Sequence, residues 1–192
     1  MSYVSETPQG VKDAHTLRAL AHPLRLQILG SLRVDGPATS AMLARRLGTD
    51  TGQTSFHLRQ LAKYGFIVDA PDLNRGRERW WRARSSSTTW DAAALSADRS
   101  TASALDAFER SVLSVWTSMV EAFLTERSTW SPAWQRAAGS GDYPIRTTPE
   151  GLVALHEELI DVIHRHARDE ANAADAENAV VILQLFPRRP QA

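Results

Sequence analysis

The chain has 192 residues, 43% of them hydrophobic and 23% charged, enough apolar material for one large or two small domains with a real core. It contains no cysteine, so disulfides, thiolate metal sites and cysteine nucleophiles are excluded. No apolar run approaches the roughly 18–20 residues that span a bilayer, and the polar first ten residues lack a signal-peptide h-region, so a cytoplasmic protein with no membrane partner is expected.

The net charge is zero, but it is unevenly divided. Residues 1–84 hold 13 Lys+Arg and 7 Asp+Glu, a balance of +6, and residues 85–192 hold 9 and 15, a balance of −6. A basic half that meets a polyanion, followed by an acidic half that does not, is the expectation.

In chain order, residues 13–21 read as a helix with Leu17, Leu20 and Ala21 at helical spacing, broken at His22-Pro23. A second helix follows over 23–34 with Leu24, Ile28, Leu29 and Leu32 on one face, ended by Asp35-Gly36-Pro37. A third starts at Thr39 or Ser40, both good N-caps, carries Leu43, Ala44 and Leu47, and stops at Gly48. The fourth starts after Asp50, which stands at capping-box spacing from Gln53, and ends at Tyr64-Gly65. Its apolar stripe is Thr54, Leu58 and Leu61. Residues 66–70 and 78–84 then read as two strands joined by a turn over 71–76, a hairpin whose basic tip holds Arg75, Arg77 and Arg79. Trp80 and Trp81 alternate across the return strand, so one of the two should be buried.

Beyond the hairpin, residues 85–99 read as a Ser/Thr/Ala-rich linker with room for a short helix over 90–95. A long helix over 101–127 carries Leu105, Phe108, Val112, Val115, Met119 and Phe123 three or four residues apart. Residues 128–137 suggest a short helical piece with Trp130 and Trp134, and 139–144 a loop. A helix over 149–168 opens with Thr147 and Glu150 at capping-box spacing and Pro149 in the first turn. Residues 171–178 are ambiguous, and 180–186 are a strand candidate.

Three short helices and a basic hairpin make a winged helix-turn-helix, with a tight Gly48-Thr49-Asp50 turn before the helix expected to enter a DNA major groove. The fold expected is mainly α with a small β-hairpin wing: a DNA-binding domain over 12–84 and a helical region over 100–187 for dimerisation and effector binding. The DNA-facing set is Thr51, Gln53, Ser55, Phe56, Arg59 and Lys63, joined by Thr39, Ser40 and Thr54 around the turn and by the wing arginines 75, 77 and 79. Gln53 could pair with adenine, whereas Arg59 and Lys63 lie further along and suit phosphate. Leu105, Phe108, Val112, Val115 and Met119 are the candidate dimer interface.

Three segments carry a family resemblance. The stretch Leu17-Arg18-Ala19-Leu20-Ala21-His22-Pro23-Leu24-Arg25-Leu26-Gln27-Ile28-Leu29 resembles the opening of ArsR-type bacterial regulators. Ser55-Phe56-His57-Leu58, running on to Tyr64-Gly65-Phe66-Ile67, is similar to that family's recognition helix, and Gly76-Arg77-Glu78-Arg79-Trp80-Trp81 to its wing. The resemblance covers about residues 12–84 and implies a homodimer on a pseudo-palindromic operator, often a repressor released by a signal. A small-molecule effector is therefore a candidate partner. The chain departs from the family in lacking a cysteine pair on the third helix, which excludes metal–thiolate sensing, and in carrying Asp50 near the expected phosphate track.

The rival readings are plainer. His57 and His22 read as packing residues at the domain edge. His156 and His164 stand two helical turns apart, too far to share one ion within a chain, and His166 continues the apolar stripe of Leu152, Leu155, Leu159 and Val162, so no metal or other cofactor is expected. The tryptophans read mainly as core, with Trp116, Trp130 and Trp134 as candidates for a pocket. No nucleophile–base pair or metal constellation stands out, and no enzyme is expected. A winged helix that binds protein in place of DNA is the alternative of another class.

Overall fold

The computed structural model describes residues 8–73, 78–169 and 176–189. The chain forms two compact units, Met1–Glu126 and Arg127–Ala192.

In the first unit, strand β1 (Gln9–Val11) leads into α1 (Ala14–Leu20), whose N-terminus is capped by Asp13 accepting the Thr16 N–H at 2.9 Å. Helix α2 (Pro23–Val34) follows with Pro23 in its first turn. Strand β2 (Ala38–Thr39), α3 (Ser40–Arg46) and α4 (Thr51–Lys63) come next, then β3 (Ile67–Asp69) and β4 (Trp80–Ala83). The three strands form an antiparallel sheet in the order β2-β4-β3, with Ala38 opposite Trp81 and Ile67 opposite Ala83. This is a winged helix-turn-helix. Trp81 is the buried member of the tryptophan pair, and Trp80 is half-buried.

Two glycines carry the turns that this path needs. Gly48 has φ +60° between α3 and α4, and Gly65 has φ +73° between α4 and β3. Both sit in the left-handed region, which costs an L side chain roughly 1–2 kcal/mol. A Cβ on Gly65 would also come within 3.2 Å of the Arg84 guanidinium.

Residues 85–99 are not a free linker. Strand β5 (Thr88–Trp90) pairs in parallel with β1, Gln9 opposite Thr88 and Val11 opposite Trp90, and a short α5 (Ala92–Ser96) follows. Arg33 fastens the segment: its Nε donates to the Ser85 carbonyl at 2.9 Å and its Nη2 to Thr88 Oγ1 at 2.7 Å. Burial pushes the Arg33 guanidinium down to about 10, so it stays charged at neutral pH.

The long helix α6 (Arg99–Glu126) packs on α1 and α2. Asp98 receives the Thr101 N–H at its start. Its Leu105, Phe108 and Val112 join a core with Leu17, Leu20, Ile28, Leu32, Leu58, Leu61 and Phe66. The Phe108 ring meets Trp90 edge to face at 4.9 Å, and Trp90 Nε1 donates to Glu109 at 3.1 Å. The sequence-based assignment of Leu105, Phe108, Val112 and Val115 to a dimer interface is therefore corrected. These four side chains are buried inside the chain, while Met119 stays exposed. The face is apolar because the helices of its own unit cover it.

In the second unit, α7 (Pro132–Ala137) is capped by Ser131, and Trp130 and Trp134 lie edge to face at 6.3 Å. Helix α8 (Pro149–Asp169) opens with the Gly151 N–H donating to Thr148 Oγ1, so the cap is Thr148 and not Thr147. Residues 176–189 form no strand, which corrects the strand expected over 180–186. Val180, Val181 and Phe186 are exposed and no neighbouring strand pairs with them. None of the described residues of this unit is buried.

Candidate nucleic-acid interface

Helices α3 and α4 are locked together through hydroxyl groups. Thr39 caps α3 by accepting the Met42 N–H at 3.3 Å. Ser40 Oγ donates to the Thr51 carbonyl at 3.1 Å and lies 2.8 Å from Ser55 Oγ. Asp50 caps α4 by accepting the Gln53 N–H at 2.8 Å, and Thr54 Oγ1 donates to the Asp50 carbonyl at 2.9 Å. Two DNA-facing expectations fall here. Thr39 is 3% exposed and Thr54 0%, so neither side chain can reach a ligand outside the domain. Their hydroxyls satisfy backbone groups at the turn, as short polar side chains do at helix starts. Ser40 and Ser55 are half-buried and bonded to each other, so their hydroxyls are already engaged. Asp50 has its structural explanation in the cap.

The outward face of α4 is left with Thr51, Gln53, Phe56, Arg59 and Lys63, all exposed. Among the described residues neither Arg59 nor Lys63 meets a carboxylate, and the Lys63 ammonium lies 5.6 Å from the Tyr64 ring. Arg45, exposed at the end of α3, and Arg84, exposed just after β4, add to the basic surface. Neither belongs to the DNA-facing set expected from sequence, although Arg45's place in the last turn before Gly48 is a signal for it.

On the wing, Arg79 lies over the Trp81 ring at 4.1 Å and pairs with Asp69 at 2.9 Å. Its charge is thus partly answered inside the sheet. Arg82 pairs with Asp72. Arg75 and Arg77 lie outside the described residues.

Beneath the outward face sit two histidines. His57 is buried, and its ring is 4.4 Å from that of His22. His22 Nδ1 accepts the Leu24 N–H at 3.2 Å, capping α2, so that nitrogen is unprotonated. Both rings are packing and capping groups, and nothing places them at a base edge. Burial lowers the pKa of each, reinforced for His57 by His22 and Arg25 and for His22 by Arg25. The unfolded chain protonates them near 6.5, the folded chain only at lower pH. Stability from this pair is therefore complete above 6.5 and declines as pH falls beneath it. Urea midpoints measured from about pH 7.5 to about pH 5.5 should drop, and His57→Gln should flatten the drop. Identical pH profiles for the two proteins would refute this assignment.

No group of three or more His, Asp or Glu that could hold a metal ion occurs among the described residues. No helix among them is long and apolar enough to cross a membrane.

No curated protein matches the chain. The family model of a helix-turn-helix domain matches residues 20–69, which run from the end of α1 through α2, α3 and α4 to the end of β3. That span holds the turn at Gly48, the cap at Asp50 and the outward face of α4, and so the chain carries a DNA-binding helix-turn-helix domain.

Proposed function

We propose that the chain is a sequence-specific transcriptional regulator of the ArsR type, a homodimer that represses by occupying an operator. Helix α4 enters the major groove. Thr51, Gln53 and Phe56 near its start meet base edges, while Arg59 and Lys63 meet phosphates. The wing, with Arg75, Arg77 and Arg79, lies along the flanking backbone. The observation that carries this reading is the outward face of α4: exposed, without a carboxylate apart from the capping Asp50, and ending in two cations that no ion pair occupies among the described residues.

Dimerisation is supported by apolar surface that the single chain leaves open. On α6, Met119, Val120 and Leu124 are 37%, 47% and 53% exposed. On α8, Leu152, Leu155, Leu159 and Ile163 form an amphipathic stripe that is only half-buried. Surface of this kind gains most from a second copy, since a two-fold dimer presents two reading helices to a pseudo-palindrome.

The purified chain is expected to retard a duplex from its own upstream region at low salt and to scatter light as two chains. A monomer at micromolar concentration would sink the dimer. Failure to retard that duplex at low salt would sink the operator reading.

A further inference from the structure

The outward face of α4 is polar except at one position. Phe56 is 49% exposed, with Gln53 three residues before it and Arg59 and Lys63 three and seven after it, a spacing that puts all four on one side of the helix. A lone exposed apolar side chain is ordinary on a protein surface. This one is not loosely held. Its ring meets His57 edge to face at 5.3 Å, His57 packs on His22 at 4.4 Å, and His22 is tied by its Nδ1 to the Leu24 N–H. A column of three rings thus runs from the start of α2 out through α4, and its outer end stands in solvent.

The cations that share the face select a polyanion as the occupant. The major groove of duplex DNA offers one apolar group at its base edges, the 5-methyl of thymine. We propose that Phe56 reads a thymine methyl, with Gln53 one turn nearer the helix start taking an adenine, so that each half-site has A·T pairs under the first two turns of α4. The inference rests on the operator reading above and names what that site selects. The ring column serves as preorganisation: Phe56 is already oriented before DNA arrives, so little side-chain freedom is lost on docking.

The test uses the full chain and a duplex enriched from a random library. Each thymine of the enriched sequence is replaced singly by deoxyuridine, which removes only the methyl and keeps the pairing. Binding is followed by fluorescence anisotropy. The expected result is one thymine per half-site at which the unmethylated duplex binds about three- to tenfold more weakly. Phe56→Ala should lose a similar factor on the thymine duplex and nothing further on deoxyuridine. The ring is exposed, so the variant should keep the native circular dichroism, and the deoxyuridine scan with the unaltered protein stands without it. A sequence that is enriched but indifferent to every methyl, or a methyl effect that persists in Phe56→Ala, overturns the role of Phe56 and leaves operator binding intact. A folded protein that enriches no sequence overturns the operator reading itself, and this inference with it.

Discussion

Replacing Arg59 and Lys63 together by alanine is expected to weaken duplex binding roughly tenfold to a hundredfold at moderate salt and to flatten its salt dependence. Each phosphate contact releases close to one counterion, so the slope of log K against log salt should shrink by about two per bound chain. Stability should barely change, because both side chains are exposed and neither meets a carboxylate among the described residues. Arg79→Ala supplies the contrast. That guanidinium already faces Asp69 and the Trp81 ring, so its removal should reduce the slope by less than a full counterion and cost the wing some order. A double variant with an unchanged slope would remove α4 from the phosphate track, whatever its effect on affinity.

Phe108→Ala should have the largest effect on the folded state. Its side chain is 1% exposed and joins α6 to the core, with Trp90 edge-on against the ring. Removing a buried phenyl group costs about 3–5 kcal/mol, a large share of the roughly 5–15 kcal/mol that holds a typical domain together. The measurement that matters is urea denaturation at two protein concentrations about fiftyfold apart. Loss of an intramolecular contact destabilises equally at both, whereas loss of a contact between chains is felt most where the protein is concentrated enough to pair. Equal losses at both concentrations are expected. A loss confined to the concentrated sample would return Phe108 to an interface between chains.

That contrast marks where the sequence stops being informative. Periodicity identifies the apolar face of residues 101–127 but carries no information about what covers it. Coverage by α1 and α2 depends on contacts some ninety residues apart along the chain. The same holds for residues 88–90, whose pairing partner is a three-residue strand near the N-terminus. With no local sign of that partner, a Ser/Thr-rich stretch looks like a linker. Local signals fared better. The caps at Thr39 and Asp50, proline at the start of α2 and glycine after α4 act within one helical turn, so the starts of α2, α3 and α4 and the end of α4 were legible. At the site, residue type misled at Thr39 and Thr54. Hydroxyls suit base edges and also suit turn backbones, and only burial separates the two uses. Phe56 was named for its position on α4, but the rings that steady it come from His57 and from a different helix.

The length of α6 has a mechanical meaning. At 28 residues the helix extends about 42 Å. Its first half is clamped against the helices that seat α4, while Val120 and Leu124 near its far end stand in solvent. A stiff rod held at one end works as a lever. A rotation of about 5° about the clamp carries the far tip, about 21 Å away, roughly 2 Å, and the same rod run in reverse turns a displacement of that size at the tip into a small tilt at the seat. Groove docking tolerates little misalignment between paired reading helices. Whatever grips the tip of α6 therefore gains leverage over the seat of α4 without touching that helix.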